Sequence, residues 1–173
     1  LSLLLLGNIV LWAANESNWP RFRGPNGAGT ADFTIPAKWS DDTVHWETKL
    51  PGTGHGSPVV WGDKIFLNAA REKGKERLVV CLDAPSGKIL WNKAFASATH
   101  KTNKRNSFAS STPAVDADAV YVAWGNNTEL QVTALSHEGK QLWQGNFGKV
   151  TGGHGFGVSP IVHDDLVVLP NDI

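Results

Sequence analysis

From Val44 onward the apolar residues fall in short runs bounded by polar turns, and none recurs at helical spacing. Three segments, VHWETKL (44–50), ILWNKAF (89–95) and QLWQGNF (141–147), carry a Trp at the same place and read as matching strands. Each leads through a loop to a strand opening with Ser or Thr before Pro: SPVVWG from Ser57, TPAVDA from Thr112 and SPIVHD from Ser159. A ladder tolerates Pro at its first residue. Short Asp-containing turns then lead to KIFLNAA (64–70), AVYVAWG (119–125) and LVVLPND (166–172). The hairpin loops REKGK and GNNTE lead on to ERLVVCLD (76–83) and LQVTALS (130–136).

The order is four antiparallel strands, the last bearing the Trp, and then the first again. Pro58 and Pro113 are 55 residues apart, and Pro113 and Pro160 are 47 apart. Four short strands about every fifty residues predict an all-β chain folded as a β-propeller of four-stranded antiparallel blades. Residues 44–173 hold about two and a half blades. The orphan strand around Trp46 reads as the one that closes the ring. A ring of roughly 4–8 blades needs more chain than this, so the sequence reads as the N-terminal part of a longer protein, incomplete at its C-terminus.

The densest form of the repeat is CLDAPSGKILW, Cys81 to Trp91, with a shorter copy, ALSHEGKQLW, from Ala134 to Trp143. In each, an apolar strand meets a polar turn, a Gly-Lys pair and then the Trp strand. Asp83 is the expected turn acceptor. Gly87 and Gly139 are the expected positive-φ hinges. Trp91 and Trp143 are the expected packing residues between neighbouring blades.

Composition narrows the function. Sixteen basic residues balance sixteen acidic ones, leaving no global field to recruit nucleic acid. Eighteen Gly, nine Pro and eight Trp suit turns and strands. The single Cys81 excludes an intramolecular disulfide and reads as a small buried hydrophobe. Met is absent, and LSLLLLGNIVLWAA (1–14) looks like a secretory signal truncated at its start, with export to the periplasm or medium implied. On this reading membrane association comes only through an uncleaved signal or an anchor elsewhere. Residues 15–43 read as an irregular N-terminal arm pinned by Trp19, Phe22 and Trp39.

The two copies resemble the repeat of the pyrroloquinoline-quinone (PQQ)-type, BamB-like propellers, Ala-Leu-Asp-x-x-Thr-Gly-Lys-x-x-Trp. The first copy matches it at Leu82, Asp83, Ser86 (for Thr), Gly87, Lys88 and Trp91. The second keeps Ala134, Leu135, Gly139, Lys140 and Trp143, with Ser136 for the Asp. NWPRFRGPNGAGT also looks like the N-terminal arm of exported bacterial members. The resemblance implies an exported propeller of one of three kinds: a non-catalytic scaffold, a quinoprotein dehydrogenase of alcohols or sugars using PQQ with calcium, or the ectodomain of a membrane sensor. Calcium wants six to eight converging oxygens. No such set stands out here, and Asp41-Asp42 and Asp164-Asp165 read as turn formers. The non-catalytic scaffold leads, and an enzyme would keep its active site largely outside this sequence.

The candidate contacts for a protein or small ligand lie in the loops that join one blade to the next, GTGHG (52–56), ASATHKTNKRNSFASS (96–111) and GKVTGGHGFGV (148–158). They bring His55, His100 and His154 to one rim, where neutral imidazoles could ligate a metal or meet a partner. Metal sites usually show tighter local spacing, so ordinary turns with a His at the tip are the plainer reading. Lys104 and Arg105 form a basic tip suited to an acidic peptide or phosphate, with a solvated loop as the plainer reading. No helix follows the glycines of the third loop, so it is not a phosphate loop. Ser107, Ser110 and Ser111 have no nucleophile-elbow context.

Overall fold

The computed structural model describes residues 18–171. Strands β1 (Val59–Trp61), β2 (Lys64–Arg71), β3 (Glu76–Asp83) and β4 (Ile89–Ala96) form the first blade, in that order across the sheet. The second blade repeats the order with β5 (Ala114–Val115), β6 (Val120–Gly125), β7 (Leu130–Leu135) and β8 (Gln141–Asn146). Strands β9 (Ile161–His163) and β10 (Leu166–Val168) pair as a two-stranded sheet. All pairings are antiparallel, and β2 and β3 match over their whole length, from Lys64 opposite Asp83 to Arg71 opposite Glu76.

Blades bury both faces, which is why β3 reads as a nearly unbroken apolar run rather than an alternation. Val79 and Cys81 on one face join Phe66, Val120, Val122, Trp124 and Leu135 in the core between the two blades. Leu78, Val80 and Leu82 on the other face pack with Leu50 and Ile65. The far side of the second blade buries Leu130 and Val132 with Phe156. Burial raises the Cys81 thiol to about 12, so it stays protonated and inert.

Several expectations are corrected. Residues 44–50 are not a paired strand. They have no ladder neighbour among the described residues and are held through side chains instead. Trp46 Nε1 donates to Ala84 O at 2.9 Å and Thr48 Oγ1 to Gly87 O at 2.6 Å. The inner strands begin one residue after Pro58, Pro113 and Pro160, because a Pro nitrogen cannot donate to a ladder. Strand β10 stops at Val168, two residues before Pro170. Of the three arm aromatics Trp19 alone is docked, exchanging backbone hydrogen bonds with Val60, and its neighbours Asn18 and Pro20 accept from the Gly62 and Val115 N–H groups; Phe22 and Trp39 are half or more exposed. The expected signal segment, residues 1–14, lies outside the described residues. Among those described, no helix is long and apolar enough to cross a membrane.

Candidate functional site on the loop face and the blade junction

The turn of each repeat is built from its own side chains and receives the Trp of the preceding repeat. Asp83 Oδ2 accepts from the Ser86 backbone N–H at 2.9 Å and from the Ser86 hydroxyl. These bonds hold its carboxyl below the usual carboxylate range. Gly87 and Gly139 sit at φ +69° and +84°. A Cβ on Gly139 would meet the Trp91 indole at 2.9 Å, and one on Gly87 would strike Trp46. Trp91 Nε1 donates to His137 O at 2.9 Å, the counterpart of the Trp46–Ala84 bond. Trp143 is 41% exposed beside Tyr121, with ring centroids 6.2 Å apart.

Both copies also contain a bulge next to the turn, where the register shifts between Cys81 and Leu82 and between Ala134 and Leu135. Trp91 lies opposite Cys81 and Ile89 opposite Leu82, so Leu90 is the extra residue. Leu142 has that role in the second copy. A bulge twists its strand and re-aims the next side chain. Here that side chain is the docking Trp.

The segments entering the inner strands form a second repeated contact. The Ser57 N–H donates to Thr112 Oγ1 at 2.9 Å, and the Thr112 N–H donates to Ser159 Oγ at 2.9 Å. The hydroxyls before Pro113 and Pro160 therefore each tie one blade to the next. Gly52 and Gly54 pass so close to Ala70 O and Ala109 O that a Cβ would lie 2.7 and 2.8 Å away. The alternating glycines of GTGHG thus mark close backbone contact of this loop with β2 and with the loop that leads to the second blade.

The three loop histidines do not converge, and among the described residues no three His, Cys, Asp or Glu side chains are grouped to hold a metal. His55 is exposed, and its backbone N–H donates to Ala109 O at 3.0 Å. His154 is exposed and fastened to the neighbouring loop: Asn106 Nδ2 donates to its carbonyl at 2.6 Å, the Asn103 N–H to the same oxygen at 3.3 Å, and Asn103 Nδ2 lies 3.3 Å from its Nδ1. That fastening sets the loop tip, with Lys101, Lys104 and Arg105 exposed and outside ion-pair reach of any described carboxylate. His100 turns inward. Its ring stands edge-on to Phe108 at 5.2 Å, and burial, then the Arg77 charge, pulls it below the ordinary imidazole range.

His100 marks a site that sequence reading missed. Between the blades, at the loop-face end, a cavity of about 10 Å³ is lined by Asn68, Arg77, His100, Phe108, Ser111 and Trp124, among others. Arg77 is 2% exposed, and its Nε and Nη1 have no hydrogen-bond partner. Its guanidinium lies 5.1 Å from the Phe108 ring centre, and desolvation lowers its pKa to about 10. Trp124 Nε1, Ser111 Oγ, Asn68 Oδ1 and His100 Nδ1 are buried and unpartnered as well. A usable signal was parity: Arg77 shares a strand face with Val79 and Cys81, and Asn68 shares one with Phe66.

A quinone with calcium needs converging oxygens and a free aromatic platform. The described residues do not fit the calcium part of that demand, because no three acidic or His side chains gather; Trp46 and Trp91 are committed to turns, whereas Trp39 and Trp143 keep exposed indoles.

Four-stranded antiparallel blades stacked face to face, each capped by the Trp of its predecessor, define the chain as part of a β-propeller. It belongs to the PQQ-like repeat family described as outer membrane protein assembly factor BamB, whose model matches residues 41–172. A polyvinylalcohol dehydrogenase of a Pseudomonas species is 26% identical over 159 residues, covering 92% of this chain and 22% of the enzyme. BamB from Moraxella catarrhalis shares the fold, with a TM-score of 0.50 and 19% identity over 72% of this chain and 36% of that one. A europium-containing methanol dehydrogenase gives a TM-score of 0.49 at 20% identity over 72% of this chain and 21% of its own. The chain thus spans between 21% and 36% of the length of these proteins.

Proposed function

We propose that this propeller is an exported, non-catalytic binding protein that engages an acidic protein segment on its loop face, in the periplasm or outside the cell. The supporting observation is the fastened basic tip. Asn103 and Asn106 fix the loop to His154, while Lys101, Lys104 and Arg105 stay exposed without ion pairs among the described residues. A tip ordered before binding loses little entropy on association, and unpaired cations steer an acidic partner toward it. Membership of the BamB family agrees with a scaffold role. His55, on the loop of the preceding blade, extends the same face.

The test is fluorescence anisotropy with a labelled Asp/Glu-rich decapeptide. Binding is expected to weaken with salt and to fall at least tenfold in the Lys104→Glu/Arg105→Glu double variant. Equal binding by wild type and variant would defeat the reading. A second reading, a quinoprotein dehydrogenase, is favoured by the identity to polyvinylalcohol dehydrogenase. Its cofactor residues would lie outside those described. Dye-linked alcohol oxidation after incubation with PQQ and calcium would establish it and displace the non-catalytic proposal.

A further inference from the structure

The least conventional feature of the molecule is the buried, unpaired Arg77. Breaking a buried ion pair so that one charge is left alone is strongly destabilising, so such charges in folded proteins have partners. Among the described residues no carboxylate reaches Arg77 within ion-pair distance. Glu76, its neighbour in sequence, is engaged by Arg71. Glu129, which acts on Arg77 only through space, accepts from Asn126 Nδ2 at 3.2 Å. The guanidinium instead lines the cavity at the blade junction, together with the unpartnered indole N–H of Trp124 and the Ser111 hydroxyl.

We propose that this cavity binds a monatomic anion of the halide class, held between the two blades by the Arg77 guanidinium and the Trp124 indole N–H. Donor balance carries the choice. A volume of about 10 Å³ leaves room for a single small occupant. Arg77 Nε and Nη1 and Trp124 Nε1 can only donate. Ser111 can turn its hydroxyl to donate as well, His100 Nδ1 donates in one tautomer and accepts in the other, and Asn68 Oδ1 is the one obligate acceptor. A water molecule would satisfy some of these groups but leave the guanidinium without a counter-charge. A halide accepts from all the donors and neutralises the cation. Phe108, its ring centre 5.1 Å from the Arg77 guanidinium and edge-on to His100, lines the cavity on the loop side. Arg77 comes from the first blade and Trp124 from the second, so the ion would join the blades where their shared core turns polar.

The experiment pairs bromide-soaked crystals with thermal denaturation in sodium chloride, bromide or gluconate at one ionic strength. An anomalous bromide peak in the cavity is expected, with a saturable rise of Tm in halide but not in gluconate. Arg77→Met should lose both, and Trp124→Phe should weaken the apparent halide affinity about tenfold or more by removing one donor to an anion. A cavity without bromide, or an undiminished halide response in Arg77→Met, would overturn the assignment. If Arg77→Met fails to fold, Trp124→Phe decides alone: an unchanged halide midpoint sinks the proposal.

Discussion

The contact between Trp91 and Gly139 joins residues of different blades and can be measured as a coupling. Gly139→Ala meets two separate penalties. The backbone sits at φ +84°, where a side chain costs about 1–2 kcal/mol. The new Cβ would also lie 2.9 Å from Trp91 Cδ2 and 3.1 Å from Cε3, an overlap of the kind that costs about 1–3 kcal/mol in a packed core. Trp91→Ala removes the indole, its contact with Phe66 at 6.1 Å and its bond to His137 O, an expected loss of about 3 kcal/mol. Once the indole is gone the overlap is gone too, and Gly139→Ala then costs only its backbone share. The double variant is therefore more stable than the sum of the singles by the overlap cost, about 1–3 kcal/mol. Urea unfolding of the four proteins, with midpoints compared at a common m value, measures this directly. Additivity within about 0.5 kcal/mol would refute the docking geometry, because side chains not in contact do not couple.

Two further outcomes follow from the repeated contacts. Thr112 is 1% exposed and its Oγ1 accepts the Ser57 N–H; Thr112→Val should cost about 1–2 kcal/mol in urea unfolding and Thr112→Ser much less, and equal losses would show the hydroxyl to be idle. Asp83 is held below the usual carboxylate range by Ser86. Its contribution is therefore complete above the unfolded value of about 3.9 and is lost as pH falls through the lower folded value. Against the non-titrating Asp83→Asn, the wild-type advantage should shrink in melts from about pH 5 to pH 2, and a constant gap would contradict the turn assignment.

The propeller was legible because its signals are local and repeated. Strand-length apolar runs, turn-forming Gly and Asp, and a Trp at a fixed offset each recur with the blade. Residues 44–50 follow the same pattern, yet a ladder also needs a neighbour, and pattern alone does not supply one. The bulge was legible only in hindsight. Between Gly-Lys and the Trp stand two residues where a regular hairpin needs one, and Leu90 and Leu142 take the surplus. The loop histidines needed the structure for the opposite reason. Three similar letters in three equivalent loops are compatible with one shared rim or with three separate turns, and loop length places each differently. The middle loop folds back, carrying His100 inward, while Asn103 and Asn106 clasp His154 at the rim.

The Arg77 cavity shows where this architecture leaves room for chemistry. Along the interface between the blades, Phe66, Val79, Cys81, Val120, Val122 and Leu135 are interchangeable in kind, since stacking needs only apolar volume. Toward the loop face the same two strand faces present Asn68, Arg77 and the Trp124 N–H, none of which stacking needs. Unsatisfied buried groups of this kind cost stability, and in Arg77 the cost includes a desolvated charge. An apolar side chain at position 77 would complete the blade interface at less expense in free energy. Retaining a cation there is therefore best explained by something that sits against it, and the halide experiment is the direct way to find it.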